Sequence, residues 1–101
     1  MARITEAQIA NAVLDILYAE PTGEASMARL KDLIPSHVTL SADDRVQSTT
    51  RPGEELWEQQ VRNITSHKDT EGNIVYEGYA EQIPGGLRIT AAGRTKVSSG
   101  H

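Results

Sequence analysis

The sequence predicts an α+β domain, mainly helical with a small sheet, on three observations. Apolar residues recur at helical spacing in three stretches of the first two-thirds of the chain. After Lys68 that periodicity gives way to short runs rich in apolar residues around Pro84-Gly85-Gly86. The length of 101 residues, with 38% hydrophobic and 24% charged, suits one globular domain. We therefore assign residues 1–101 to a single domain, with an ordered core over about 4–97 and a frayed tail over 98–101.

The first helix has a complete start signal. Thr5 as N-cap and Gln8 three residues later match the capping box, and Ile4 and Ile9 have the spacing of a hydrophobic staple. Ile9, Val13, Ile16 and Leu17 then mark a buried face, Ala10 and Ala12 favour the helix, and Pro21-Thr22-Gly23 end it. A second, shorter helix starts from Ser26 as N-cap. It places Met27, Leu30, Leu33 and Ile34 on one face, and Pro35 is expected to stop it. The intervening Gly23-Glu24-Ala25 leaves room for a turn or a single bridging strand.

Val38 and Leu40 are apolar anchors, and Ser41-Ala42-Asp43-Asp44 begins like a short helix with acidic residues in its first turn. Gln47 to Gly53 is polar and rich in breakers, hence a loop. The third main helix is expected from Glu54 to about Ser66. Pro52 and Gly53 suit its start, Glu54 and Glu55 suit the positive end of its dipole, and Trp57, Val61 and Ile64 form its buried stripe. After a turn at Asp69–Asn73, the runs Gly78–Ile83 and Leu87–Thr90 flank Pro84-Gly85-Gly86 and predict a β-hairpin. Pro followed by Gly fits the central positions of a type II turn. Thr90 then caps a short terminal helix, Ala91 to about Val97.

Composition removes whole classes of chemistry. With no cysteine, disulfides, thiolate zinc sites, iron–sulfur clusters and cysteine nucleophiles are excluded. Three Tyr, one Trp and no Phe leave an aliphatic core in which Trp57 is the single large filler. No apolar run approaches the roughly 18 residues of a membrane span, and no basic-then-apolar leader is visible, so no membrane partner and a cytoplasmic location are expected. The formal net charge is −4. Residues 1–50 carry four basic and seven acidic side chains and residues 51–101 carry six and seven, so the imbalance lies mainly in the first half. A polyanion-binding surface would have to be local.

Three helices followed by a β-hairpin is the order of a winged helix-turn-helix domain, with the third helix as candidate reader and the hairpin as wing. Gly78-Tyr79-Ala80, then Gly86-Leu87-Arg88-Ile89-Thr90-Ala91-Ala92-Gly93-Arg94, resembles the ending of many prokaryotic winged-helix domains. There a Gly-hydrophobic pair opens the wing and Ile/Leu-Thr-x-x-Gly-Arg closes it. Together with Arg51–Lys68, which contains Trp57, Val61, Arg62 and Asn63, the chain resembles the N-terminal domain of Mrr-type restriction endonucleases. The resemblance covers about residues 5–97, and only the last third has specific motifs. It implies double-stranded DNA recognition, as a small transcriptional regulator or as the accessory part of a restriction-like system. It does not carry the nuclease, for which this chain has no room.

The residues agree that catalysis is not expected. A restriction-type site needs carboxylates and a lysine converging on a metal. Asp43-Asp44, Glu54-Glu55, Asp69 and Glu71 sit at helix starts or turns, where solvated carboxylates are the simpler reading. His37, His67 and His101 have no metal-ligand spacing, and Gly72 and Gly85-Gly86 belong to no phosphate-binding loop. No cofactor and no metal are expected.

The DNA-binding candidates are Arg45, Thr49, Thr50 and Arg51 before the third helix, then Gln59, Gln60, Arg62 and Asn63 on its polar side. His67 and Lys68 follow at its end, and Arg88 lies on the wing. Gln and Asn can read adenine, Arg can read guanine, and the threonine hydroxyls can bind phosphate. Against this, Glu54, Glu55 and Glu58 share the helix, and Arg62 can equally pair with Glu58 one turn earlier. Trp57 is in phase with Val61 and Ile64 and belongs to the core rather than to a base-stacking platform. The alternative is a winged-helix protein-interaction or homodimerisation module that binds no DNA. The two readings differ in whether Arg45, Arg51, Arg62, Lys68 and Arg88 share a face or scatter among acids.

Overall fold

Helix α1, Glu6–Ala19, is the element on which the others pack. Its start is the capping box read from sequence: the Gln8 N–H donates to Thr5 Oγ1 at 3.1 Å, and the Thr5 N–H donates to Gln8 Oε1 at 2.9 Å. Ile4 and Ile9 are both buried, as the staple requires. Beyond the four residues the periodicity picked out, Ala10, Ala12 and Leu14 are buried too, because α1 is covered by elements on several sides. Its exposed or half-buried side carries Glu6, Gln8, Asn11, Asp15 and Tyr18. The computed structural model describes residues 3–47 and 53–100.

Over the described residues the structure is α+β, with four helices and a three-stranded antiparallel sheet. The link after α1 is the bridging strand, β1, Glu24–Ser26. Helix α2, Met27–His37, follows with Ser26 Oγ accepting from the Arg29 N–H at 3.1 Å. Pro35 does not stop it; the helix runs two residues further, with the Val38 N–H bonded to Ile34 O. Proline removes one donor and crowds the carbonyl four residues back, and in a last turn little remains downstream to lose.

The expected short helix at Ser41–Asp44 is instead a run of turns, in which the N–H groups of Asp44, Arg45 and Val46 bond to the carbonyls three residues back. Helix α3 supplies the reason. Its Trp57 N–H takes the Asp44 carbonyl at 3.0 Å, and its Leu56 N–H takes the Val46 carbonyl at 2.9 Å. Those acceptors are spent across the chain and cannot propagate a local helix. Helix α3 itself spans Leu56–Ser66, two residues shorter at its start than expected. Glu55 is the extended N-cap residue, and its N–H donates to Glu58 Oε1 at 3.0 Å. Trp57, Val61 and Ile64 are buried as the stripe predicted, and Trp57 is core at 5% exposure.

Asn73 closes the far end of α3. Its Nδ2 donates to Ile64 O at 2.8 Å, and its Oδ1 accepts from the Val75 and Tyr76 N–H groups. The hairpin strands are β2, Ala80–Ile83, and β3, Gly86–Ile89. The first is two residues shorter than read, because Gly78 is left-handed at φ 83° and the Tyr79 N–H is bonded back to Ile74 O. Pro84 and Gly85 turn the hairpin, Gly85 at φ 75° in the region that the second central position of a type II turn needs. The sheet order is β1-β3-β2.

Helix α4, Ala91–Ser98, is capped by Thr90, whose Oγ1 accepts from the Gly93 N–H at 3.0 Å. It extends one residue beyond the expected end, and Ser99 and Gly100 are still hydrogen-bonded to its last turn. Gly93 is there for space. A Cβ on it would overlap the Tyr79 carbonyl and lie 2.7 Å from Ile89 Cγ1.

Candidate nucleic-acid interface

Each described arginine singled out as a DNA contact lies against glutamate. Arg45 has Nη1 3.3 Å from Glu55 Oε1, and the same oxygen accepts from the Trp57 indole N–H at 2.8 Å. Arg62 reaches Glu54, not Glu58, with Nη2 2.9 Å from Oε1 and Nε 3.5 Å from Oε2. Glu58 is occupied elsewhere, by the Glu55 N–H and by Lys31 at 3.8 Å, which is why the pairing one turn earlier does not form. Arg88 stands mid-strand opposite Glu24 on β1 and Glu81 on β2, at 3.3 and 2.7 Å. The register sets all three side chains in one row across the sheet.

The remaining candidates divide. Gln59 and Asn63 are half-buried on α3, and Asn63 Nδ2 donates to Gln60 Oε1 at 3.4 Å. Lys68 is exposed and has no ion pair among the described residues. His67 has Nδ1 2.8 Å from Glu6 Oε1 on α1. Thr49, Thr50 and Arg51 lie outside the described residues. No residue of α3 before Ser66 is fully exposed. Its polar side is flanked by Glu54 and by the N-terminal segment rather than presented bare to solvent.

Two concavities flank that segment. A hollow of about 180 Å³ gathers Arg3, Gln59, Gln60 and Asn63 above Ile4, Leu56 and Trp57. A groove of about 570 Å³ lies between the start of α1 and the stretch leaving α2. Arg3, Ile4 and Asp44 belong to both, so the segment pinned at Ile4 is their shared wall.

Asp44 does the pinning, and sequence reading missed it. It is 2% exposed, not a solvated turn carboxylate. Oδ1 accepts from the Ile4 N–H at 2.7 Å, and Oδ2 accepts from the Ser41 N–H and Oγ at 2.8 and 3.0 Å. Burial alone would raise its pKa, but the bonds from Ser41 and Ile4, helped by the Arg3 charge, outweigh it and hold the carboxyl below its usual value. The pattern Ser41-x-x-Asp44 was the available signal, because it is the spacing of a reciprocal turn cap. A second charge pairing also lay beyond sequence reach, in which Arg29 beside Glu20 lowers that carboxyl's pKa.

Other carboxylates considered for metal chemistry are likewise engaged, Glu54 by Arg62 and Glu55 by Arg45 and Trp57. Among the described residues no group of three or more His, Asp or Glu side chains is placed to hold a metal ion. Among them, too, no helix is long and apolar enough to cross a membrane. Compared with family models, curated proteins and solved structures, the chain matches none.

Proposed function

We propose that the chain is a non-catalytic winged-helix domain, cytoplasmic, whose partner is a protein rather than double-stranded DNA. The element order α1-β1-α2-α3-β2-β3 and the sheet order β1-β3-β2 support the winged-helix assignment. The Thr90 cap and the tight seat of Gly93 give a physical basis to the Ile-Thr-x-x-Gly-Arg ending, which resembles that of Mrr-type domains. One observation carries the choice of partner: Arg45, Arg62 and Arg88 are each tied to glutamate. A phosphate would have to displace a carboxylate already in place and would be repelled by it, so these three arginines contribute little of the electrostatic term that drives DNA binding. Among the described residues, Lys68 is the candidate left with an unpaired charge.

Titration of the chain with random-sequence duplex DNA from about 20 mM salt upward tests this. The expected result is no binding at the lowest salt, where electrostatic attraction is least screened. Tight binding that weakens steeply with salt, and that drops in the Arg62→Ala, Lys68→Ala double variant, overturns it. A second reading, DNA recognition as a regulator or restriction-system accessory, is favoured by the hollow that joins Arg3 to three side-chain amides of α3. Under that reading the double variant weakens binding and flattens the salt slope.

A further inference from the structure

The groove between α1 and the stretch leaving α2 combines features that belong together chemically. Its floor is apolar, formed by buried Ile4 and half-buried Val38 and Leu40. Asn11 projects from α1 into its lining, half-buried, and its side-chain amide has no hydrogen-bond partner among the described residues. Arg3 is exposed at the same lining and makes no close ion pair among them; its charge acts at a distance on Asp44, whose oxygens turn inward to Ile4 and Ser41. The opposite wall, residues 38–41, belongs to no helix or strand, and Val38 leaves α2 with extended backbone at φ −137° and ψ 156°. The backbone N–H and C=O groups of Thr39 and Leu40 bond to no described residue.

We propose that this groove docks an extended peptide segment of a partner protein. Residues 39 and 40 pair with the peptide backbone, an apolar side chain rests on the Ile4–Leu40 floor, and a carboxylate meets Arg3. The proposal rests on the protein-binding reading above and specifies its site. An extended peptide brings an N–H and a C=O at every residue, and each one it removes from water needs a partner. The wall supplies both kinds, and Asn11 adds one donor group and one acceptor on the same side chain. Strand-type docking takes affinity from such backbone bonds and specificity from alternate side chains, which here meet an apolar floor and a cation. The acidic residue of the partner follows from Arg3, the exposed charge of the lining, whose pull must be local in a chain of net charge −4. An apolar floor offers nothing to a phosphate backbone.

Panning a phage library of random heptapeptides against the full chain tests the proposal. The selected peptides are expected to share an apolar residue within two positions of Asp or Glu. On isotope-labelled protein, a selected peptide should shift the backbone amides of Thr39 and Leu40 and the side-chain NH2 of Asn11. Arg3→Glu, an exposed change, should weaken that peptide at least tenfold, and replacing the peptide's acid by Lys should restore binding to the variant. Peptides that bind Arg3→Glu unchanged or shift amides elsewhere overturn the groove and leave the protein-binding reading standing. Failure to enrich any peptide overturns the groove as well. Concentration-dependent shifts of the same amides without peptide assign the groove to a second copy of the chain and overturn the peptide. Duplex DNA that shifts the Gln59 and Asn63 side chains at low salt overturns the underlying reading instead.

Discussion

A single carboxylate ties the N-terminal segment to the turn that precedes α3. Asp44→Ala leaves the Ile4 and Ser41 N–H groups without their acceptor in a buried place, which costs about 2–3 kcal/mol. Urea unfolding of the variant should show that loss as a lower midpoint with an unchanged slope. The folded pKa of Asp44 lies below its unfolded value of about 3.9, so its contribution is complete above that pH and disappears as pH falls through the folded pKa. The stability gap between the native chain and Asp44→Asn should therefore shrink below about pH 4. A gap constant down to pH 2 would sink the assignment. Gly93 poses the opposite problem, since Ala gains about 1 kcal/mol in an open helix. Here its methyl meets the Tyr79 carbonyl, which is backbone and cannot swing away. Gly93→Ala should lower stability by about 1–3 kcal/mol in thermal unfolding, overpacking prevailing over propensity.

Among the elements, those with local signals were legible and those set by distant acceptors were not. Helix α1 and the starts of α2 and α4 were read from Thr5, Ser26 and Thr90, because a cap is a short-range bond between a side chain and the next turn. The segment 41–46 was misread because Asp44 and Val46 give their carbonyls to α3, a pairing that no local pattern encodes. The ion-pair partner of Arg62 was misread for a related reason, since Glu54 rather than Glu58 reaches it, from ahead of the helix over eight positions. The buried stripe of α3 and its glutamates were readable from sequence, whereas the pairing of Glu54 with Arg62 and of Glu55 with Arg45 emerged only with the tertiary contacts. Those pairings make a prediction about α3. Glu54→Gln with Glu55→Gln keeps a side-chain acceptor for the Trp57 indole and frees Arg62 and Arg45. The double variant should acquire weak duplex binding with a log–log salt slope of about −1 to −2, as two phosphate contacts imply. Continued absence of binding at low salt would mean that charge pairing is not what keeps DNA away.

At the scale of the molecule, α1 is the common wall for α2, α3, α4 and β3. Leu14 is fully buried in it, outside the four residues that periodicity marked, because neighbours cover more than one face. Leu14→Ala should cost about 2–5 kcal/mol, and in a domain whose total stability is about 5–15 kcal/mol that is a large share. Urea melts followed by circular dichroism and by Trp57 fluorescence should move together, since both report one core. Separate transitions would mean that the surroundings of Trp57 on α3 unfold apart from the other helices.

The carbonyl of Gly85, at the tip of the hairpin, accepts from the Met27 N–H at 2.9 Å, and β1 lies so close to β3 that a side chain at Gly86 would strike the Ala25 carbonyl. Met27 opens α2, and its N–H is one of the donors that a helix start leaves over. The hairpin turn therefore serves as a cap for a helix some sixty residues earlier in the chain. In amide exchange Met27 should open with the hairpin strands and not with the interior of α2. A force applied at the Pro84-Gly85 tip reaches the start of the helix through that bond and through the adjoining β1–β3 pairing, without passing through the core.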